Sequence, residues 1–199
     1  MTLKKIIIGD TLLLILVSFI LLMYFIFNMP HDELHILKIA LDNQIPRLPI
    51  FTIPYLFFIP WSWGVLTYSW YSSRSFHQLA YSFIIINLVA FLIYFTFQTY
   101  VPRDQITSHD FFSNVLQLIY NNDRPYNGFP SLHSSLSTSI ATYFVCKESK
   151  WSWMAILIAA VIVISTLFVK QHFILDAVSG IFLGIVVTSI VFKLSILSK

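Results

Sequence analysis

Charge is scarce in this chain. Only 11% of its 199 residues are Asp, Glu, Lys or Arg, and the formal net charge is +3. So small and scattered a balance excludes the basic surface that nucleic-acid binding needs. Cysteine is almost missing. The single Cys146 excludes an intrachain disulfide and a cysteine-based metal centre, and its place in an apolar run predicts a buried small side chain. Internal repeats, low-complexity tracts and composition shifts are lacking too, so residues 1–199 read as one domain. What is abundant is apolar surface: 57% of the residues are hydrophobic, and 19 are Phe. A water-soluble fold of this size could not hide that much, so the surrounding solvent is lipid.

Six apolar runs stand out, at about 6–27, 51–71, 79–99, 132–146, 151–169 and 173–192. Most approach the roughly 20 residues that a helix needs to cross hydrocarbon. Backbone groups in lipid must be satisfied within the segment, so the fold class is an all-α integral membrane protein with six transmembrane helices. The first run follows a short basic stretch but is too long for a signal-peptide core and lacks a small-residue cleavage site, so it reads as a retained span. The fourth run is short and rich in Ser and Thr, which suits a helix packed against protein. Gly180 and Gly184 give the last run a Gly-x-x-x-Gly face for close helix packing.

With the N-terminus inside, the cytoplasmic ends carry Lys4, Lys5, Arg74, Lys147, Lys150, Lys193 and Lys199, and the outer side carries Lys38, Arg47, Arg103, Arg124 and Lys170. Positive charge therefore leans inward. Two outer segments read as interfacial helices. Residues 31–48 place Leu34, Leu37, Leu41 and Ile45 on one helical face, with His31, His35 and Asp42 on the wet one. Residues 110–120 are similar, with Ser108 or Asp110 as an N-cap. The second lies in the connection 100–130, long enough to be functional.

Ionisable residues at the mouths of membrane spans are candidates for function. His133 opens the fourth run. Lys170 and His172 occupy the turn before the last run, and Asp176 stands four residues after His172, on the same helical face. With six spans, both places lie on one side of the membrane, where Arg103, Arg124, Ser131 and Lys170 can join them. A carboxylate-oriented His is a nucleophile or base, and a second His can protonate a leaving oxygen. Cations and the free amides of a helix start can hold a phosphoryl group. Such a set performs phosphoryl transfer without a metal or another cofactor. Two His and one Asp could instead bind zinc, but the surrounding cations would repel it.

At these residues the sequence resembles the type 2 phosphatidic acid phosphatase superfamily, an integral-membrane group with six spans. Its Pro-Ser-Gly-His motif is matched by Pro130, Ser131, Leu132 and His133, and its Ser-Arg-x5-His-x3-Asp motif by Ser165, Thr166, His172 and Asp176. The resemblance implies that His172 attacks phosphorus and forms a phosphohistidine, that Asp176 orients it, and that His133 is the general acid. It also implies that Ser131 and Ser165 sit among the phosphate ligands. Thr166 replaces the motif arginine, with Lys170 as a substitute charge, and Leu132 replaces the glycine. These departures resemble the branch that includes inositol phosphorylceramide synthase. For the family's first motif, Arg103 at the end of the third run is the favoured match, because its place between the third and fourth runs fits, and Arg124-Pro125 is the second candidate.

The expected function is a lipid-phosphate phosphatase, with transfer to an alcohol or a degenerate lipid-binding role as alternatives. The expected substrates are phosphatidic acid, phosphatidylglycerol phosphate or a polyprenyl phosphate or diphosphate. The expected location is a bacterial plasma membrane, with the site facing outward.

Overall fold

The computed structural model describes residues 8–30 and 33–197. Lys4, Lys5, His31, Lys199 and the start of the first apolar run lie outside the described residues. Helices occupy all six runs: α1 (Ile8–Phe27), α2 (Thr52–Ser72), α3 (Phe76–Thr96), α5 (Leu132–Cys146), α6 (Ser152–Phe168) and α7 (Ile174–Leu197), while α4 (Phe111–Asn122) forms inside the long connection. Four segments, Ile8–Phe27, Pro49–Ser72, Phe76–Thr96 and Ile174–Leu197, are long and apolar enough to cross a membrane. α5 and α6 are shorter, at 15 and 17 residues.

α5 is the hub, packed against α7, α6, α3 and α2. Its serines make this possible: Ser134, Ser135, Ser137 and Ser139 have no exposed surface. α7 meets it through glycine. A Cβ on Gly180 would stand 2.5 Å from the Ser131 carbonyl oxygen, and one on Gly184 would stand 2.2 Å from that of Ser135. Lower down, the Ser139 and Thr188 hydroxyls bond at 2.7 Å. The Gly-x-x-x-Gly face thus works as expected, by letting backbones approach. α1 packs on α3 and α2 and turns Leu12, Ile15, Phe19, Leu22 and Ile26 outward, as a lipid-facing stripe would be.

The expected helix over 31–48 does not form. Residues 33–39 run extended, His35 bridges Thr99 in parallel, and only a single 3-10 turn, Ala40–Asn43, follows. Backbone pairing with residues 98–100 and the side chain of Asp42 take the local bonds that a helix would have used. Asp42 is buried, at 4% exposure, rather than on a wet face. Cys146 also departs from expectation: at the last position of α5 it is exposed. At the same end of the bundle, Asp10 is buried and sits 2.8 Å from His77.

The long connection is not a free loop. Tyr100 pairs antiparallel with Tyr126, Val101 N–H bonds the Pro125 carbonyl, and Asn127 N–H bonds the Thr99 carbonyl. The two ends zip together, with α4 as the excursion between them. Continuing that register brings Arg103 opposite Asp123, and the Arg103 guanidinium does donate to the Asp123 carbonyl. α4 is capped by Asp110, whose carboxylate accepts from Ser113 N–H at 3.1 Å and is held well below the usual carboxylate range by Ser108 and Ser113.

Candidate active site

His172 leaves the turn after α6. Thr166 sets that turn: its carbonyl accepts from the N–H of Gln171 at 3.0 Å and of His172 at 3.3 Å. Asp176 follows one helical turn later with no exposed surface. Its Oδ2 accepts from Phe173 N–H at 2.8 Å and lies 3.7 Å from His172 Nδ1. That separation suits an ion pair but exceeds a hydrogen bond. Both His172 Nδ1 and Asp176 Oδ1 are buried without a hydrogen-bond partner among the described residues. Gly128 backs the carboxylate, where a Cβ would come within 3.0 Å of Asp176 Oδ2.

His133, in the first turn of α5, faces His172 with ring centroids 5.8 Å apart. Its ring is stacked on Tyr55 and packed against Phe58, each at 4.5 Å, which fixes its orientation. The α5 start is tied to the α7 start, because Ser131 N–H donates to the Asp176 carbonyl at 3.0 Å. The two sequence motifs are therefore joined by a backbone bond as well as by their rings.

Both histidines open on a cavity of about 580 Å³ between α1, α2, α3, α4 and α5. Its walls are mostly apolar, with Leu21, Phe25, Ile59 and Leu136 among them. Asp123 and Asn127 are among its polar lining residues. Ser62 and Asn87 mark the deep end: at 1.5 Å per residue, each lies about 14–15 Å along its helix from the end that carries the site.

The remaining candidates are placed differently. Ser131 caps α5, accepting from Ser134 N–H at 3.3 Å, and is fully buried. Ser165 is equally buried and its hydroxyl donates to the Ile162 carbonyl, so neither serine lines the cavity. Lys170 adopts a left-handed backbone (φ 55°) and turns its ammonium to the carbonyls of Asp42 and Ile45, away from the histidines. Burial lowers its pKa. Arg124 is exposed, and its guanidinium reaches the Met29 thioether. Arg103 is at the site, but its terminal nitrogens donate to the carbonyls of Tyr120, Asp123 and Arg124 and to Gln171 Oε1. Those bonds leave it as a fixed positive charge rather than a free fork.

Sequence reasoning missed Asp123, Tyr55 and Gln171. Asp123 stands immediately before the Arg124-Pro125 pair and could have been found there. The other two carried no sequence signal.

Among the described residues, the fold and site define an apolar helical bundle with two facing histidines at one cavity. The family model for the PAP2 superfamily matches residues 11–197, and the chain belongs to that superfamily. No curated protein and no solved structure matches. Membership brings a phosphatase or phosphotransferase type of activity on a lipid phosphate, and with the apolar helices it makes this an integral membrane protein.

Proposed function

We propose that the chain is a lipid-phosphate phosphatase that works through a phosphohistidine on His172. The observation that carries this reading is the pairing of His172 and His133 at the head of the apolar cavity, with Asp176 behind His172. Asp176 faces Nδ1, which leaves Nε2 as the attacking atom. Nε2 bonds to phosphorus as the P–O bond to the lipid breaks, and His133 gives its proton to the departing oxygen. Water then attacks the phosphohistidine, His133 takes back a proton, and inorganic phosphate leaves. Arg103 contributes a fixed positive charge to the phosphoryl site.

All six apolar helices, the shorter α5 and α6 included, span the bilayer in this reading, and the histidine end faces outward. The cavity takes the lipid chain and holds the phosphate at the membrane boundary. The substrate is phosphatidic acid, phosphatidylglycerol phosphate or a polyprenyl phosphate or diphosphate. A second reading, transfer to an alcohol, draws on Thr166 at the motif-arginine position and on Lys170 being turned away. The test is phosphate release from a panel of lipid phosphates, with trapping of a phosphoenzyme. Release that disappears in His172→Ala is expected, and full activity of that variant would overturn the reading.

A further inference from the structure

Gln171 stands immediately before His172 and carries donors with nothing to bond. Its side chain is 5% exposed, and its Nε2 is buried without a hydrogen-bond partner among the described residues. Arg103 Nε is in the same state. The two belong to a bonded pair, because the Arg103 guanidinium donates to Gln171 Oε1. A guanidinium only donates, so this bond fixes which end of the amide is oxygen and leaves both N–H groups of Nε2 over. Each unfilled nitrogen is attached to the same carbon as one of the joined atoms. The unmet groups are all donors, so the missing partner is an acceptor. An ammonium group or a hydrocarbon chain cannot supply one. A tetrahedral oxyanion can, and the Arg103 charge favours it. The residues expected to bring a second cation do not. Thr166 stands at the motif-arginine position with its hydroxyl bonded to the Val163 carbonyl, and Lys170 is turned to Asp42 and Ile45.

We propose that Gln171 Nε2, together with Arg103 Nε, holds the non-bridging oxygens of the phosphoryl group as it moves onto and off His172. The inference rests on the phosphohistidine reading and deepens it. A neutral amide takes the place of the second guanidinium, and the bond from Arg103 to Oε1 polarises that amide so that its N–H groups donate more strongly. Neither group gives up or takes a proton. Their bonds tighten as negative charge gathers on the oxygens in the transition state.

The test separates a phosphoryl ligand from a mere brace for Arg103. Gln171→Glu keeps an acceptor for Arg103 but removes both N–H donors and adds a negative charge. Gln171→Met, of similar length, keeps neither acceptor nor donor. Purified full-length protein turns over a lipid phosphate in the presence of inorganic sulfate, a tetrahedral oxyanion, and the inhibition constant for sulfate is read. Both variants are expected to weaken sulfate by about tenfold or more, the loss of one hydrogen bond to a charged group, with Gln171→Glu the more weakly inhibited of the two. A brace alone gives the opposite order, because Gln171→Glu preserves the bond to Arg103. Unchanged inhibition in Gln171→Met, or inhibition stronger in Gln171→Glu than in Gln171→Met, overturns the subsite. So does a wild type that sulfate does not inhibit. If either variant does not fold, the other is judged against wild type, and unchanged inhibition there overturns the subsite. These outcomes leave a trapped phosphohistidine untouched, whereas its absence from His172 overturns the reading beneath.

Discussion

Arg103 and Gln171 are joined by a hydrogen bond from the guanidinium to Oε1, and Gln171 is the residue before His172. The same guanidinium gathers the carbonyls of Tyr120, Asp123 and Arg124 and stacks over the Tyr120 ring at 4.7 Å. It locks the zipped connection to the turn that carries His172. A lysine cannot reproduce this, because a single ammonium cannot span four separated acceptors. Arg103→Lys is therefore expected to lower kcat by about a hundredfold, the loss of one or two charge-assisted bonds of about 1.5–3 kcal/mol each. Gln171→Leu should show a smaller loss of the same kind. Steady-state kinetics on a lipid phosphate check this, and a lysine variant with unchanged kcat would count against the clasp.

Asp123 makes stability depend on pH in an unusual direction for a carboxylate. Burial raises its pKa above the ordinary 3.8, and Arg103 and the Tyr24 hydroxyl only partly oppose that. A carboxyl with a higher pKa in the folded state binds more protons there than in the unfolded chain, so its contribution to stability falls as pH rises through the folded value. Below about 3.8 both states are protonated and the contribution no longer changes. Wild type should therefore gain thermal stability relative to Asp123→Asn as the pH is lowered from neutral toward that value. Melting curves of the two proteins across that window test the sign. A relative gain on raising the pH would show that Arg103 outweighs burial.

Much of this arrangement was legible in the sequence. The six apolar runs needed only hydropathy, and Gly180 and Gly184 announced the tight contact with α5 through their spacing. His172 and Asp176 were readable as a pair because four residues make one helical turn. His133 joined them through span counting. What failed were judgements on charge. Arg103 reads as the favoured phosphate ligand, Arg124 as the second and Lys170 as a substitute for the motif arginine, but their placement is decided by carbonyls far away in sequence, such as Asp42 O for Lys170. The stretch 31–48 misled for the same reason. Its apolar spacing suits a helix, yet long-range pairing of His35 with Thr99 overrides local preference.

The depth of the cavity yields a prediction about chain length. Ser62 lines the cavity one helical turn beyond Phe58, which packs against His133. Ser62→Phe would narrow the cavity beyond Phe58 and leave both histidines in place. Lipid phosphates with long chains should then show a KM raised by about tenfold or more, as expected when about 1.5–3 kcal/mol of chain burial is lost. Esters with short chains, which do not reach that depth, should be affected far less. The ratio of kcat/KM for the two classes is the readout. Equal losses for both would mean that the chain lies elsewhere.

Asp42 sits far from the histidines in sequence but fastens the start of α7, two residues after His172. Its Oδ1 accepts from Ile174 N–H, the first residue of α7, at 2.9 Å, and its Oδ2 accepts from Ile39 N–H at 2.8 Å. The carboxylate thus satisfies an amide at the start of α7, where the helix dipole favours negative charge. Its own carbonyl receives Lys170, so the loop and the turn are fastened at two points. Removing a cap of this kind costs about 0.5–2 kcal/mol. Asp42→Ala should therefore lower the melting temperature and also loosen the turn that orients His172, reducing kcat with little change in KM. Asp42→Asn, which keeps an acceptor for Ile174 N–H, should restore most of both. A variant that loses stability but keeps wild-type kcat would separate the cap from the site and confine Asp42 to folding.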